Sequence, residues 1–337
     1  MSQFTLTMSD LYKRLTKVGL DKSFVQQVGL TSWWSEELDD KPIAVLEASG
    51  HIAQRLNLDL ESLILEDDTP RFKPPVHTKF KYRGQKEQSA PSTAQAITSQ
   101  LAKVVARATQ LKFVPLPSDP LEIRQSLTQK FPQITLYSIL DYCWAQGIAV
   151  VYFNNYPKKS RKLAGMIQWV EEQYPVIVLS SGYTHPARLA FDLGHELGHL
   201  ALGHVKEGVL LDESLEQGSD DQEEQESNCF ATKLLVGRLD HQIKSHSIHN
   251  SRQLAKKVSA AIERSDRTVE PCALAFNYAG HHPGDFGIAQ KAVKTLDPHL
   301  KDGHKVINRL LEERVNWDQL SDDNQDYLDQ ILDETLS

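Results

Sequence analysis

His195-Glu196-Leu197-Gly198-His199, with the β-rich run Pro175-Val176-Ile177-Val178-Leu179-Ser180 ahead of it, is the stretch from which the rest of the chain can be read. On an α-helix, positions i and i+4 stack on one face, so His195 and His199 can hold one Zn²⁺ together. Glu196 lies about 100° round the same turn. There it can take a proton from a water at that metal. The setting predicts a strand and then a capped helix. Ser181-Gly182 closes the strand with turn chemistry, Thr184 is placed as N-cap, and Pro186 falls in the first turn, where its missing N–H costs nothing. Leu189, Leu193, Leu197 and Leu200 give the helix an apolar face, and Gly203 reads as its C-terminal stop.

A catalytic zinc of this kind needs a third protein ligand and an open position for water. His204 is the tempting choice, because one zincin class uses His-Glu-x-x-His-x-x-Gly-x-x-His. Here the glycine comes one residue late and the histidine one early. On a continuing helix His204 would point about 180° away from His195, so it is read as a helix-terminal or surface histidine and not as a ligand. The acidic stretch Glu223-Glu224-Gln225-Glu226-Ser227-Asn228 is the better source. Glu224 and Asn228 stand i, i+4 on a second predicted helix, continued by Leu234 and Leu235. A carboxylate there can bind the metal while Asn228 hydrogen-bonds a ligand histidine and fixes its tautomer.

These two elements resemble the ImmA/IrrE metallopeptidases. The matching residues are Arg188-x-x-Phe191-x-x-Gly194-His195-Glu196-Leu197-Gly198-His199-Leu200 and Glu224-x-x-Ser227-Asn228-x-Phe230-Ala231-x-x-Leu234-Leu235. The register of the second element selects Glu224 over its acidic neighbours. The resemblance implies one catalytic Zn²⁺ bound by His195, His199 and Glu224, with Glu196 as general base. It further implies a zinc-dependent endopeptidase that cuts a regulatory protein, such as a helix-turn-helix repressor or antitoxin, in stress, mobile-element or defence control. The alternative is a non-proteolytic or DNA-binding transcriptional regulator that uses a peptidase-like sensor fold. Gly194 and Ser227 replace alanines of the family pattern, and Val236-Gly237 replaces Met-Pro. The match runs from about residue 136 to 236.

Around this core the pattern predicts an α+β fold. A helix over 136–146 and strands over 148–153, 166–170 and 176–179 form a minimal zincin-like domain, with a small three-stranded sheet packed on the active-site helices. An extended substrate could then add to a sheet edge. Residues 1–66 form a compact helical module with segments at 9–18, 22–28, 31–38 and 42–56. It closes on Leu58-Asp59-Leu60-Glu61-Ser62-Leu63-Ile64 and is similar to XRE-type helix-turn-helix domains. Its would-be recognition stretch, Thr31-Ser32-Trp33-Trp34-Ser35-Glu36-Glu37-Leu38-Asp39-Asp40, would set four carboxylates against a phosphate backbone. Docking of a protein is therefore favoured over DNA binding. Residues 67–93, rich in Pro, then Lys, then Ser and Gln, read as a linker. The peptidase domain spans 94–240 and opens on a helix over 94–110. Residues 241–337 form a helical C-terminal region, with amphipathic faces at Val306, Leu310, Leu311 and Val315, and at Tyr327, Leu328, Ile331 and Leu332. The turn Tyr278-Ala279-Gly280-His281-His282-Pro283-Gly284 could bring a histidine or tyrosine to the site, though a surface loop is the plainer reading.

Composition bounds the rest. The 337 residues contain no apolar run of transmembrane length and no secretory pattern at the N-terminus. Cys143, Cys229 and Cys272 are scattered, which suits reduced thiols in a cytosol, and the cytoplasm is the expected compartment. The net charge of −8 opposes broad nucleic-acid affinity, and no membrane partner is expected.

Overall fold

A computed structural model describes the chain apart from residues 1–5, 66–68, 74–79, 82–91, 159, 161–162, 213–220, 239–242, 244–247, 300–301 and 337. The N-terminal module holds α1 (Met8–Lys17), α2 (Lys22–Phe24), α3 (Pro42–Arg55) and α4 (Leu60–Ile64). Thr7 caps α1 through the Asp10 amide, and Asp59 caps α4 through the Ser62 amide. The expected helix over 31–38 is not there; only a three-residue 3-10 turn forms, Glu36–Leu38. Serine and tryptophan are indifferent helix formers, and tertiary contacts win. The Ser32 N–H donates to Asp326 Oδ2 at 3.1 Å, and the Trp34 indole N–H donates to Asp39. Trp33 is left 54 % exposed. Most of the expected linker lies outside the described residues. Its described part at 69–73 pairs back onto the module, with the Asp59 N–H donating to Arg71 and the Lys73 N–H to Asn57.

The sheet is larger than the three strands expected. Its order is β1 (Phe80–Lys81), β5 (Val209–Asp212), β3 (Gly165–Val170), β4 (Tyr174–Leu179), β2 (Ala149–Tyr152). β2 and β4 run parallel, β3 is antiparallel to both β4 and β5, and β1 runs parallel to β5. The two extra strands come from segments too short and too little patterned to announce themselves. Consecutive residues of β2 and β4 are buried, as in strands covered on both faces. The helix α5 (Thr93–Thr109), opened by a Ser92–Gln95 capping box, packs on β2, β3 and β4. α6 (Pro120–Lys130) and α7 (Leu136–Ala145) follow it.

The motif lies on α8 (Pro186–Ala201), which packs on β3, β4 and α9 (Gln222–Val236). His185, not Thr184, is the N-cap: its ring Nδ1 accepts from the Ala187 N–H. The α8–α9 contact is close because Gly198 has no side chain. A Cβ there would stand 3.0 Å from the Ser227 Cα and 3.1 Å from the Phe230 Cβ. At Gly194 the same test gives 3.4 Å, an ordinary contact, so an alanine would fit.

Beyond residue 240 come α10 (Ser251–Arg264), α11 (Pro271–His281), α12 (Phe286–Leu296), α13 (Gly303–Glu312) and α14 (Asp322–Leu336). They extend one hydrophobic core that runs through all parts of the chain. α13 also closes a sheet edge. The buried Asn308 side chain accepts from the Tyr152 N–H at 2.8 Å and donates to its carbonyl at 3.0 Å, as a neighbouring strand would. α14 binds the N-terminal module through Arg55, whose side chain is 1 % exposed. That guanidinium donates to Asp323, to Asp326 and to the Leu30 carbonyl. Among the described residues no helix is long and apolar enough to cross a membrane.

Candidate metal centre

Three predicted site residues converge. The ring Nε2 atoms of His195 and His199 lie 3.0 Å apart, and the Glu224 oxygens lie 3.2 Å from each of them. All three side chains are buried, and among the described residues they form the one group able to hold a metal ion. A cation about 2.1 Å from each donor would set them roughly 3.0–3.4 Å apart, so the spacing fits. The donor set fits as well: two imidazoles and a carboxylate leave room for a fourth position. Close approach of α8 and α9 at Gly198 and Ser227 brings the Glu224 turn over the two histidines.

The other ring nitrogens are also engaged. His195 Nδ1 lies 3.0 Å from Asn228 Oδ1, the partner expected one helical turn beyond Glu224. His199 Nδ1 lies 3.0 Å from His204 Nδ1, and His204 Nε2 lies 3.1 Å from Glu226 Oε2. His204 is therefore at the helix terminus but not on the surface, since its side chain is only 8 % exposed. The continuing-helix geometry does not apply to it, because α8 stops at Ala201. A hydrogen bond from Gln222, then one from His204, holds the Glu226 carboxyl below its usual range.

Glu196 is 2 % exposed and faces Gly165, the first residue of β3. A Cβ on Gly165 would stand 2.0 Å from Glu196 Oε1, so the carboxylate occupies the space a side chain would take. The residue-type reading did not single out Gly165. Its only signal is a glycine opening a strand, which marks close approach of another group. Earlier on α8, Arg188 pairs with the buried Asp192 at 3.3 Å and lies over the rings of Tyr183 and Phe191. Tyr278 is not brought to this group; it is buried and donates its hydroxyl to Asp285.

No curated protein sequence gives a significant match to the chain. The sequence profile of the IrrE N-terminal-like domain, of the peptidase M78 kind, does match, over residues 143–279. That span holds α8, α9 and the strands β2 to β5, and it runs past the expected boundary at 240 into α11. Over these residues the chain is similar to the ImmA/IrrE metallopeptidases, a resemblance that implies a metal cofactor and a protein substrate.

Proposed function

We propose that the chain is a zinc-dependent endopeptidase that acts in the cytosol on a regulatory protein, of the helix-turn-helix repressor or antitoxin kind, in stress, mobile-element or defence control. The observation that carries this reading is the convergence of His195, His199 and Glu224, with Glu196 buried on the same helix beside the histidines. The three residues would hold the zinc, which when bound supplies a Lewis acid for the scissile carbonyl and for the attacking water. Glu196 accepts the proton of that water and returns it to the leaving amine. Its burial keeps competing solvent away from the carboxylate, and Gly165 sets where that carboxylate can rest. Asn228 accepts from the His195 Nδ1–H and so holds the tautomer whose Nε2 faces the centre.

Target choice is assigned to docking outside the cleft. The outer edge of β2 is occupied at Tyr152 by Asn308, and β3 lies between β4 and β5, so β3 offers no free edge for strand addition and that of β2 is narrowed. The module of residues 1–66 presents the exposed Trp33 beside Glu36 and Glu37, a surface suited to a protein partner. DNA binding through the same stretch is disfavoured. Its carboxylates oppose phosphate, and its Ser32 amide is engaged by Asp326 of α14.

The test is metal content with activity. The purified chain should carry about one zinc, and a chelator should abolish cleavage that added zinc restores. Glu224→Ala should lose the metal while Glu223→Ala keeps it. Full zinc content in Glu224→Ala would refute the ligand set.

A further inference from the structure

α8 ends in a motif that turns the chain back on itself. The Gly203 N–H donates to the Leu200 carbonyl at 3.2 Å, and the His204 N–H to the His199 carbonyl at 2.9 Å. This is the paired closure of a Schellman cap, and it requires the left-handed φ of +73° that Gly203 adopts. The reversal lays the His204 ring against the His199 ring, with centroids 5.1 Å apart and planes at 68°. Without Gly203 the helix would carry His204 to its far side.

We infer that His204, anchored by Glu226, is the positioning residue that fixes the tautomer and orientation of His199 at the metal centre. The inference rests on the reading of His195, His199 and Glu224 as metal ligands, and it follows from counting protons. A His199 ring that offers the Nε2 lone pair to a cation must carry its proton on Nδ1. That proton points at His204 Nδ1, 3.0 Å away, which must then be bare and accept. The His204 proton therefore sits on Nε2 and is donated to Glu226 Oε2 at 3.1 Å, a carboxylate that can only accept. Gln222 donates to the other Glu226 oxygen at 2.7 Å, and the Ser227 hydroxyl lies 3.4 Å from His204 Nδ1. Moving either ring proton sets two donors or two acceptors against each other. The two ligand histidines are thus supported differently: His195 ends on a neutral amide, whereas His199 is linked through a second imidazole to an anion. Anionic support of this type raises the basicity of a ligand imidazole.

The experiment measures metal binding, not activity. Zinc affinity is read by competition with a chromophoric chelator, and geometry by the visible absorption of the Co²⁺ form. His204→Phe keeps the ring volume and removes both hydrogen bonds, so zinc affinity should fall ~10–100-fold and the Co²⁺ bands should shift. His204→Gln can accept with its carbonyl and donate with its NH₂, and should recover most of the loss. Unchanged affinity and Co²⁺ spectrum in His204→Phe would overturn the assignment. If His204→Phe does not fold, ¹⁵N-histidine NMR of the unaltered zinc protein decides. A neutral Nε2–H tautomer at His204 is expected, and an Nδ1–H tautomer overturns the proposal. A wild-type chain that binds neither zinc nor Co²⁺ removes the metal centre itself, and the inference with it.

Discussion

Replacing Gly165 by alanine moves the proposed general base while leaving the metal ligands untouched. The new Cβ would stand 2.0 Å from Glu196 Oε1 and 2.9 Å from its Cδ, yet 3.5 Å from its Cγ, which is ordinary contact. The backbone itself does not resist the change, because Gly165 is not among the positive-φ glycines and any L-residue can adopt its conformation. The flexible end of the glutamate moves, by about 1.4 Å if it is to reach ordinary contact. A base must lie within hydrogen-bond reach of the proton it takes, and a misplacement of about 1 Å can cost ~10²-fold. A ~10²-fold fall in single-turnover cleavage is therefore expected, equivalent to about 2.7 kcal/mol in the barrier, with zinc content unchanged. The assay is cleavage of a peptide library followed by mass spectrometry, beside elemental analysis of the same samples. Cleavage by Gly165→Ala within twofold of the unaltered protein would refute the placement of Glu196 as base.

Three further outcomes are expected. Arg55→Met strips the cation from Asp323 and Asp326, whose side chains are 14 % and 23 % exposed, and should cost about 2–3 kcal/mol, below the range for fully buried pairs. Burial alone would raise Asp326, but hydrogen bonds from Ser32 and Arg55 outweigh it and leave its carboxyl below the usual 3.8. Asp266 is likewise lowered, with burial outweighed by Thr268 and Arg124. A carboxyl depressed in the folded state stabilises above its unfolded value and loses that contribution as pH falls through the folded value. Melting temperature should therefore hold near neutrality and drop below about pH 4, less steeply in Arg55→Met. An equal acid slope in both proteins would contradict this. Trp33→Ala should slow cleavage of the natural target while zinc content and cleavage of an unselective peptide stay the same; an unchanged target rate would place recognition elsewhere. Deleting residues 1–66 is a poorer test, because it removes Arg55 and leaves the acidic face of α14 unpaired.

Much of the centre is legible from residue types and spacing. The i, i+4 histidines follow from helical periodicity, a local rule; Glu224 is picked from its acidic neighbours by the family resemblance, and Asn228 stands one turn beyond it. The strands β2, β3 and β4 are legible from local composition too, since each is a short run rich in β-branched, aromatic or other apolar residues. What sequence does not display is set by contacts between distant segments. Gly165 acts by lacking a side chain, and only the approach of Glu196 gives that absence a meaning. His204 is misplaced by extending α8 as an ideal helix, although Gly203 already marks its end; the Schellman reversal is what brings the ring back. The stretch at 31–38 resembles a helix in the sequence, but Ser32 and Trp34 bond to Asp326 and Asp39 instead of to a helical ladder. β5 pairs with β3 and β1 with β5, so each rests on a neighbouring strand and not on a strong pattern of its own.

The most direct measurement compares cells producing the unaltered chain with cells producing Glu196→Gln, by mass spectrometry of newly formed protein N-termini, with zinc measured in both purified proteins. Glutamine keeps the size and a hydrogen bond but cannot take the proton, so cleavage should fall by ~10²–10⁴-fold. The expected result is equal zinc in both and a small set of new N-termini found only with the unaltered chain. The same termini, at the same abundance, from zinc-loaded Glu196→Gln would contradict the proposed peptidase.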